Sequence, residues 1–331
     1  MSRPVDRLAL LDPDWPHRER SEIVAAGGMG FHVQCFGDAG PAVLLLHGTG
    51  ASTHSFRDLA PVLADPVRVL AIDLPGHGAS ETPRGDGLTL PGMAHRIGAL
   101  CDTLGFPPDA IVGHSAGAAI AIRAAVDGRL APKLIVGLNA ALQPMQGYAL
   151  FSPLAKALFL NPLVPHLFAR AARGERTAKR LIEQTGSRID ERGLRCYQRL
   201  FANPDHVYGA LGMMAGWDLA TLQRDMPRLA CRLTLVTAAD DGTVPARDAP
   251  AHVRRVRDGR HIALSKGGHL LHEERPREIA ALLHGELERV GLLPGADDAH
   301  TRPMSKVAGH PSPDTESRAT VVQRDVARGM I

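Results

Sequence analysis

The chain has 331 residues, a formal net charge of +3 and a composition that is 44% hydrophobic and only 4% aromatic. The hydrophobic content is sufficient for a sizeable core, which excludes global disorder. The nearly balanced charge and the scarcity of aromatic side chains exclude a polycationic nucleic-acid binder and a base-stacking platform, so no nucleic-acid partner is expected.

The compartment is predicted from the termini and the cysteines. Residues 1–15 carry scattered charges without the apolar core of a secretory signal, and no stretch approaches the roughly 18 apolar residues of a transmembrane helix. The four cysteines, Cys35, Cys101, Cys196 and Cys231, are widely spaced and form no CxxC pair. This spacing favours buried free thiols over a zinc site or a disulfide framework, and we expect a cytoplasmic protein.

Taken in chain order, the first predicted elements are the strands Glu22–Ala25 and Phe31–Phe36, which flank a hairpin turn at Gly27–Gly30. Continuous apolar runs follow, as is typical of strands buried on both faces: Ala42–Leu46, Arg68–Ile72, Ala110–Val112, Leu134–Leu138, Leu233–Thr237 and His261–Leu264. Helical stretches such as Met93–Leu104 and Ala116–Val126 alternate with them. The alternation predicts an α/β fold with a mostly parallel eight-stranded sheet and helices on both faces.

The domain organisation follows from where this alternation stops. Residues 141–227 contain several prolines and the helical runs Leu167–Gln184 and Leu194–Leu200, without a strand-like run, which predicts a helical cap inserted after the sixth strand. The core is then expected at 21–140 and 228–292, after an N-terminal extension at 1–20. Residues 293–331 are polar and lack apolar periodicity, which predicts a disordered tail.

The strongest chemical signal is the pentapeptide Gly113–Gly117, GHSAG, between the strand that ends at Val112 and the Ala-rich helix. A serine between a strand and a helix takes a strained turn that only small neighbours tolerate, and the turn exposes its hydroxyl. The helix N-terminus favours negative charge that develops there. This context predicts Ser115 as a nucleophile.

A serine hydroxyl needs a base, and the base needs an acid that fixes its tautomer. His269 follows the last predicted strand between glycines and is the predicted base, with His272 as the rival that we expect to begin the next helix. Asp241 in the D-x-x-V-P turn is the predicted acid, and Asp240 is expected to be a solvated loop carboxylate. The chain order Ser, Asp, His is that of the α/β hydrolases.

The remaining part of such a site is an oxyanion hole. His47–Gly50, HGTG, follows the strand Ala42–Leu46, so the backbone N–H groups of Thr49 and Ala116 are predicted to meet the oxyanion from two sides. Asp73–Gly78, DLPGHG, is expected to shape a loop beside the site, with His77 as a packed loop residue. This chemistry requires no metal ion and no organic cofactor.

These motifs, HGTG, DLPGHG, GHSAG, D-x-x-V-P and GGH in this order, resemble the α/β-hydrolase superfamily over about residues 20–290. A closer resemblance is carried by Leu44–Ala64, by Trp15–Arg18 with Ser21, and by Gly267–Pro276. It is to the magnesium-chelatase accessory proteins of bacteriochlorophyll biosynthesis, which belong to the same superfamily. The resemblance implies the α/β-hydrolase fold and the triad Ser115, Asp241 and His269. It also implies a role near magnesium insertion into protoporphyrin, with a tetrapyrrole or magnesium-chelatase subunits as partners.

Several functions stay open at this point. The residues favour a serine hydrolase that acts on an ester or a similar acyl substrate. Because a fold does not dictate catalysis, an accessory protein that binds a tetrapyrrole or a chelatase subunit without catalysis is the alternative. A generic esterase, a cofactor-free haloperoxidase and a carbon–carbon bond hydrolase share the same triad. A haloalkane dehalogenase is disfavoured, because the nucleophile position holds serine rather than aspartate.

A basic stretch in the cap indicates one further contact. Arg170, Arg173, Arg176, Lys179 and Arg180 lie within eleven residues, with Arg170, Arg173 and Arg180 expected near one helical face. Such a helix suits an amphiphilic anion or peripheral contact with an anionic membrane surface. An ordinary solvated face is the alternative.

Overall fold

The computed structural model describes residues 7–143, 161 and 163–295. It confirms the predicted eight-stranded sheet, whose strands are β1 Ser21–Ala26, β2 Met29–Phe36, β3 Ala42–Leu46, β4 Arg68–Ile72, β5 Ala110–His114, β6 Leu134–Leu138, β7 Arg232–Ala238 and β8 Gly259–Leu264. Their order is β1-β2-β4-β3-β5-β6-β7-β8. Strand β2 pairs antiparallel with both β1 and β4, and β3 through β8 run parallel to one another.

The register of the central strands aligns their carboxyl ends. Leu46 at the end of β3 pairs with Gly113 of β5, and His114 at the end of β5 pairs with Leu138 of β6. Every residue of β3, β5 and β6 is buried, because helices cover both faces of the sheet. The loops that follow β3, β5 and β7 therefore meet at one edge, where ligands bind in open α/β sheets.

The described helices are α1 Leu59–Leu63, α2 Leu90–Leu104, α3 Ala116–Val126, α4 Leu163–Ala171, α5 Glu175–Gln184, α6 Glu191–Phe201, α7 Pro204–Gly216, α8 Leu219–Asp225, α9 Ala249–Val253, α10 Leu271–Glu274 and α11 Pro276–Arg289. Two apolar clusters form the core. One contains Met93 of α2 and Ile120 of α3, and the other contains Leu59 of α1 and Leu283 of α11. The sheet thus has a helical layer on each face. No described helix is long and apolar enough to cross a membrane.

Between β6 and β7 the described chain is helical, as predicted, but the helices differ from the expected ones. The prediction of a single helix over Leu167–Gln184 is wrong. The chain forms α4 and α5 instead, because Gly174 has an extended backbone at the start of α5. Arg170 and Arg180 therefore lie on different helices, with Arg173 between them. The predicted run Leu194–Leu200 lies within α6, and α7 and α8 were not predicted.

Three other expectations need comment. The hairpin turn is shorter than predicted, because Met29 and Gly30 belong to β2 and only Gly27 and Gly28 form the turn, both at positive φ. All four cysteines are free thiols, but Cys35 is exposed rather than buried, because it lies on the outward side of β2. The predicted tail lies outside the described residues from 296 onward, as does the part of the predicted cap at 144–160 and 162.

Candidate active site

Ser115 occupies the turn between β5 and α3 in the strained conformation that the motif predicts. Its φ of 49° and ψ of −112° are unusual for a residue with a side chain. A Cβ on Gly113 would lie 2.4 Å from the Ala118 nitrogen, and one on Gly117 would lie 2.1 Å from the Leu46 oxygen. Both flanking positions therefore require glycine, because β5, α3 and the end of β3 approach one another so closely.

Within the described residues, the Ser115 hydroxyl forms no hydrogen bond. The backbone N–H of Ser115 donates to the Leu138 carbonyl at 2.9 Å, which holds the turn against β6. The side chain does not cap α3, although Ser115 precedes the helix directly. The residue is 8% exposed, so its hydroxyl lies in an almost enclosed position. Ser115 therefore lacks the capping role that a serine before a helix commonly has.

His269 and Asp241 form a buried pair at the same edge of the sheet. The His269 Nδ1–H donates to Asp241 Oδ2 at 2.9 Å, and the two side chains are 8% and 1% exposed. The other carboxylate oxygen, Oδ1, accepts the backbone N–H groups of Thr243 at 2.7 Å and Val244 at 2.9 Å. The carboxylate is thus fixed by three hydrogen bonds, and His269 is held in the tautomer whose Nε2 can accept a proton.

The loop that carries His269 is tied to the strands beside Ser115. The His269 carbonyl accepts from His114 Nε2 at 2.9 Å and from Asn139 Nδ2 at 3.0 Å, and these two residues end β5 and follow β6. The ring of His114 lies 4.7 Å from that of His269, measured between centroids. The predicted base therefore lies next to the residue that precedes the predicted nucleophile.

The structure does not join all of the predicted residues. The hydrogen bonds among the described residues include the pair between His269 and Asp241, but none between the Ser115 hydroxyl and His269. The rivals make other contacts. Asp240 is exposed and accepts the Gly267 N–H at 3.1 Å, and His272 is buried in a hydrogen bond with the Ser55 hydroxyl at 2.8 Å. Burial lowers the pKa of His272 to about 3. Neither rival reaches Asp241.

The HGTG loop lies beside Ser115 and is held by histidines. A Cβ on Gly48 would lie 3.1 Å from the Ser115 Cβ. The Leu74 N–H donates to His47 Nε2 at 2.9 Å, so the other ring nitrogen of His47 carries the proton and donates to the Gly48 carbonyl at 2.7 Å. The backbone N–H groups of Thr49 and Ala116 have no hydrogen-bond acceptor within the described part of the chain. Both are thus available as donors.

A helix of the region between β6 and β7 also supports the HGTG loop. The Gly78 N–H donates to His206 Nδ1 at 3.0 Å, so His206 Nε2 carries the proton and donates to the Gly50 carbonyl at 3.1 Å. His206 is on α7. Gly209, one turn further on, lets α7 approach so closely that a Cβ there would lie 1.9 Å from the Gly76 oxygen. The position of α7 and the shape of the HGTG loop are therefore coupled.

Asp73 of the DLPGHG motif is structural, as expected. Its carboxylate is fully buried and accepts from His32 Nδ1 at 2.7 Å, the Thr53 N–H at 2.6 Å and the Ala79 N–H at 2.9 Å. Burial acts to raise the pKa of Asp73, but His32 and these hydrogen bonds outweigh it and hold the pKa well below its ordinary value. His77 donates to the Pro75 carbonyl at 3.1 Å, and burial lowers its pKa.

A buried ion pair beneath the His269 loop was missed by the sequence analysis. Glu273 Oε1 accepts the hydroxyls of Ser55 and Tyr197, each at 2.7 Å, and Oε2 accepts from the Arg57 guanidinium. Arg57 also donates to Asp190, the N-cap of α6, at 2.9 Å. These residues are far apart in the chain and none has a local pattern. They join α6 of the cap to the helix that follows His269.

The described residues contain no group of three or more His, Cys, Asp or Glu side chains that could hold a metal ion. The candidate site combines a serine in a strained turn, a His–Asp pair and two backbone amides that have no acceptor among the described residues. This set of groups, at the carboxyl edge of a sheet in this strand order, defines an α/β hydrolase.

The comparisons with known proteins agree with this class. Residues 43–282 match the model of the alpha/beta hydrolase family, and the chain belongs to that family. It is 37% identical, over 84% of its length and 98% of the relative's, to the protein named magnesium-chelatase 30 kDa subunit of Rhodobacter capsulatus. It is 26% identical to an esterase of Mycobacterium tuberculosis, over 76% of this chain and 85% of that one.

Solved structures share the fold. An alpha/beta hydrolase fold protein from Burkholderia ambifaria superposes with a TM-score of 0.67 at 24% identity, covering 79% of this chain and 96% of that chain. A thermophilic esterase from Thermogutta terrifontis superposes with a TM-score of 0.64 at 21% identity, covering 82% and 98%. At this identity the superpositions concern the fold alone.

Proposed function

We propose that the protein is a serine hydrolase that cleaves an ester or a similar acyl compound. Ser115 is the nucleophile, His269 the general base and then acid, and Asp241 the residue that orients His269. The observation that carries this proposal is the buried pair of His269 Nδ1 and Asp241 Oδ2, 2.9 Å apart, beside the strained turn at Ser115. What distinguishes this pair from the buried structural pair of His32 and Asp73 is its position, because the His269 ring lies 4.7 Å from that of His114, the residue that precedes Ser115.

In the first half of the proposed reaction, Ser115 Oγ forms a bond to the acyl carbon while its proton passes to His269 Nε2. The carbonyl oxygen becomes an oxyanion, which the N–H groups of Thr49 and Ala116 stabilise. The C–O bond to the leaving group then breaks, and His269 returns the proton to the departing alkoxide. Asp241 stays ionised and stabilises the imidazolium of His269.

In the second half, a water molecule attacks the acyl-enzyme as His269 takes its proton. The bond between Ser115 Oγ and the acyl carbon breaks, and the proton returns to Ser115. The acid leaves and the resting state is restored. All proton transfers go through His269 Nε2, the ring nitrogen that the bond to Asp241 leaves as an acceptor.

We further propose that this activity serves bacteriochlorophyll biosynthesis near the magnesium-chelatase step. The support is the 37% identity to a protein named magnesium-chelatase 30 kDa subunit over nearly the whole of that relative. The physiological substrate is then an acyl or ester compound of that pathway. It either contains a tetrapyrrole or is supplied to one. Chelatase subunits are the proposed protein partners.

A second candidate is a non-catalytic accessory protein that binds a tetrapyrrole or a chelatase subunit. Two observations favour it: the name of the relative refers to a chelatase subunit, and no hydrogen bond joins Ser115 to His269. The two functions make different predictions about Ser115→Ala. A catalytic role requires the hydroxyl, whereas a binding role tolerates its loss.

The test uses a fluorophosphonate probe on the full chain. We expect the wild type to be labelled and Ser115→Ala to be unlabelled, while Ser265→Ala, an exposed serine near the His269 loop, is labelled as the wild type. Equal labelling of Ser115→Ala would refute the assignment of the nucleophile.

Complementation of a deletion strain then separates the two functions. Failure of Ser115→Ala to restore pigment synthesis supports catalysis. Full restoration by this variant supports the binding role.

A further inference from the structure

Helix α4 exposes several apolar side chains to solvent. Pro165 and Ala169 are the residues of α4 that pack inward, whereas Leu163 and Leu167, one turn apart, are each 64% exposed. Phe168 beside them is 41% exposed. Single exposed apolar residues are common, but adjacent exposed leucines leave a continuous apolar surface in water that a partner would cover.

Cations follow this apolar pair along the chain. Arg170 and Arg173 follow it directly, and the exposed side of α5 carries Arg176, Lys179 and Arg180. The sequence from 163 to 186 holds these five cations and two acidic residues. None of the five forms a salt bridge with a described side chain. The stretch therefore carries a net positive charge, which attracts anions.

The apolar pair is close to the candidate active site. The Phe168 ring meets the Phe201 ring edge to face with centroids 6.5 Å apart. Phe201 of α6 in turn packs on the HGTG loop, since a Cβ on Gly50 would lie 3.6 Å from its ring. One aromatic side chain thus separates the exposed face of α4 from the predicted oxyanion loop.

We propose that the lipid-binding face, defined as Leu163 and Leu167 with the cations from Arg170 to Arg180, docks the protein on an anionic phospholipid surface. The leucines insert among the acyl chains at the interface, and the cations contact the headgroups. A bilayer is favoured over a protein partner because two leucines form only a narrow apolar strip, whereas a stable protein interface needs a complementary surface of roughly 800 Å² on each partner. The five cations of the adjoining stretch are complementary to anionic headgroups. The proposal does not depend on catalysis by Ser115.

The test is co-sedimentation of the full chain with vesicles of phosphatidylcholine alone and of phosphatidylcholine with phosphatidylglycerol. We expect binding to the mixed vesicles and not to the neutral ones, with a loss at high salt because headgroup attraction is screened. The double variant Lys179→Glu, Arg180→Glu is expected to bind the mixed vesicles about tenfold more weakly or worse. Leu163→Ser, Leu167→Ser is expected to lose binding as well.

Matched controls remove charge and apolar surface elsewhere. Arg254→Glu, Arg257→Glu reverses two exposed cations near β8, and Val62→Ser removes an exposed apolar side chain of α1 that is 40% exposed. Both controls are expected to bind as the wild type. The proposal is overturned if the wild type ignores anionic vesicles, or if the controls lose as much binding as the variants in α4 and α5. Binding of chelatase subunits through this face, in the absence of vesicle binding, would also overturn it.

Discussion

Asp241→Asn isolates the role of the carboxylate from the shape of the site. Oδ1 of Asp241 accepts two backbone N–H groups, from Thr243 and Val244, and Oδ2 accepts from His269 Nδ1. Asparagine has one oxygen, and the two backbone donors fix it at the Oδ1 position. Its amino group then faces His269 Nδ1, donor against donor. The proton of the imidazole therefore moves from Nδ1 to Nε2. With Nε2 protonated, His269 can no longer accept the proton of Ser115.

The expected loss is large, because the wrong tautomer removes the base altogether. The equivalent change in a serine protease lowers kcat by about 10⁴, and the same geometry predicts a similar loss here. This corresponds to about 5.5 kcal/mol in the activation free energy. The assay is kcat/KM for hydrolysis of an activated p-nitrophenyl ester, measured at the same pH for the variant and the wild type. Circular dichroism of the variant confirms that it is folded.

The neighbouring aspartate is the matched control. Asp240 is exposed and accepts only the Gly267 N–H at 3.1 Å, so Asp240→Asn is expected to keep nearly all activity. Wild-type activity of Asp241→Asn would refute the assignment of the acid. A larger loss in Asp240→Asn would show that the wrong aspartate had been chosen.

Four further predictions concern stability, measured by urea denaturation. Gly209→Ala forces a Cβ to within 1.9 Å of a backbone oxygen and should lower the free energy of unfolding by about 1–3 kcal/mol. Gly285→Ala, which meets no atom within 4 Å in a helix, should raise it by up to about 1 kcal/mol. Glu273→Gln removes the buried carboxylate from the Arg57 guanidinium, which keeps Asp58 and Asp190 as partners, and should lower it by about 1–3 kcal/mol. Burial lowers the pKa of His47 and His206 to about 4, so below about pH 6.5 the unfolded chain binds more protons than the native one. The free energy of unfolding should therefore fall from about pH 6.5 to about 4, by about 2 kcal/mol for each histidine at pH 5.

Each of these stability predictions can be contradicted by a specific result. Equal effects of the two glycine substitutions would mean that α7 does not approach the loop after β4 as described. A Glu273→Gln variant as stable as the wild type would mean that the buried ion pair contributes nothing to folding. A free energy of unfolding that stays constant between pH 7 and about 5 would mean that these histidines are accessible to protons in the native state.

The sheet was predictable because its strands carry a strong local signal. Ala42–Leu46 and Leu134–Leu138 are uninterrupted apolar runs, and their bounds in the structure are those predicted. A strand buried on both faces leaves no room for polar alternation, so the pattern has one interpretation. The turn at Ser115 was predictable for a related reason, since only glycine fits on both sides of it.

The cap was harder to predict, because its helices are set by tertiary packing. The run Leu167–Gln184 has helical periodicity throughout, yet the chain breaks at Gly174, where no proline marks the end. Helix propensity is a weak guide at such a point, since contacts with the rest of the protein decide between one helix and two. The lengths of helices in this part of the chain therefore needed the structure.

Long-range polar contacts had no sequence signal at all. Arg57 and Glu273 are separated by more than 200 positions, and each is surrounded by ordinary residues. Only the fold brings them together, as it brings His206 of the cap to the HGTG loop. Sequence reasoning proposed the residues of the candidate site from local motifs, but it could not find the residues that hold those motifs in place.

The central claim is that Ser115 forms a covalent bond to the acyl group, and the direct measurement is mass spectrometry of the acyl-enzyme. The full chain is mixed with an activated ester, quenched with acid within the first turnovers and digested. The account predicts one added acyl mass on the peptide that contains Ser115, and none in His269→Ala treated alike. An adduct on another serine, or steady hydrolysis without any adduct on Ser115, would contradict it.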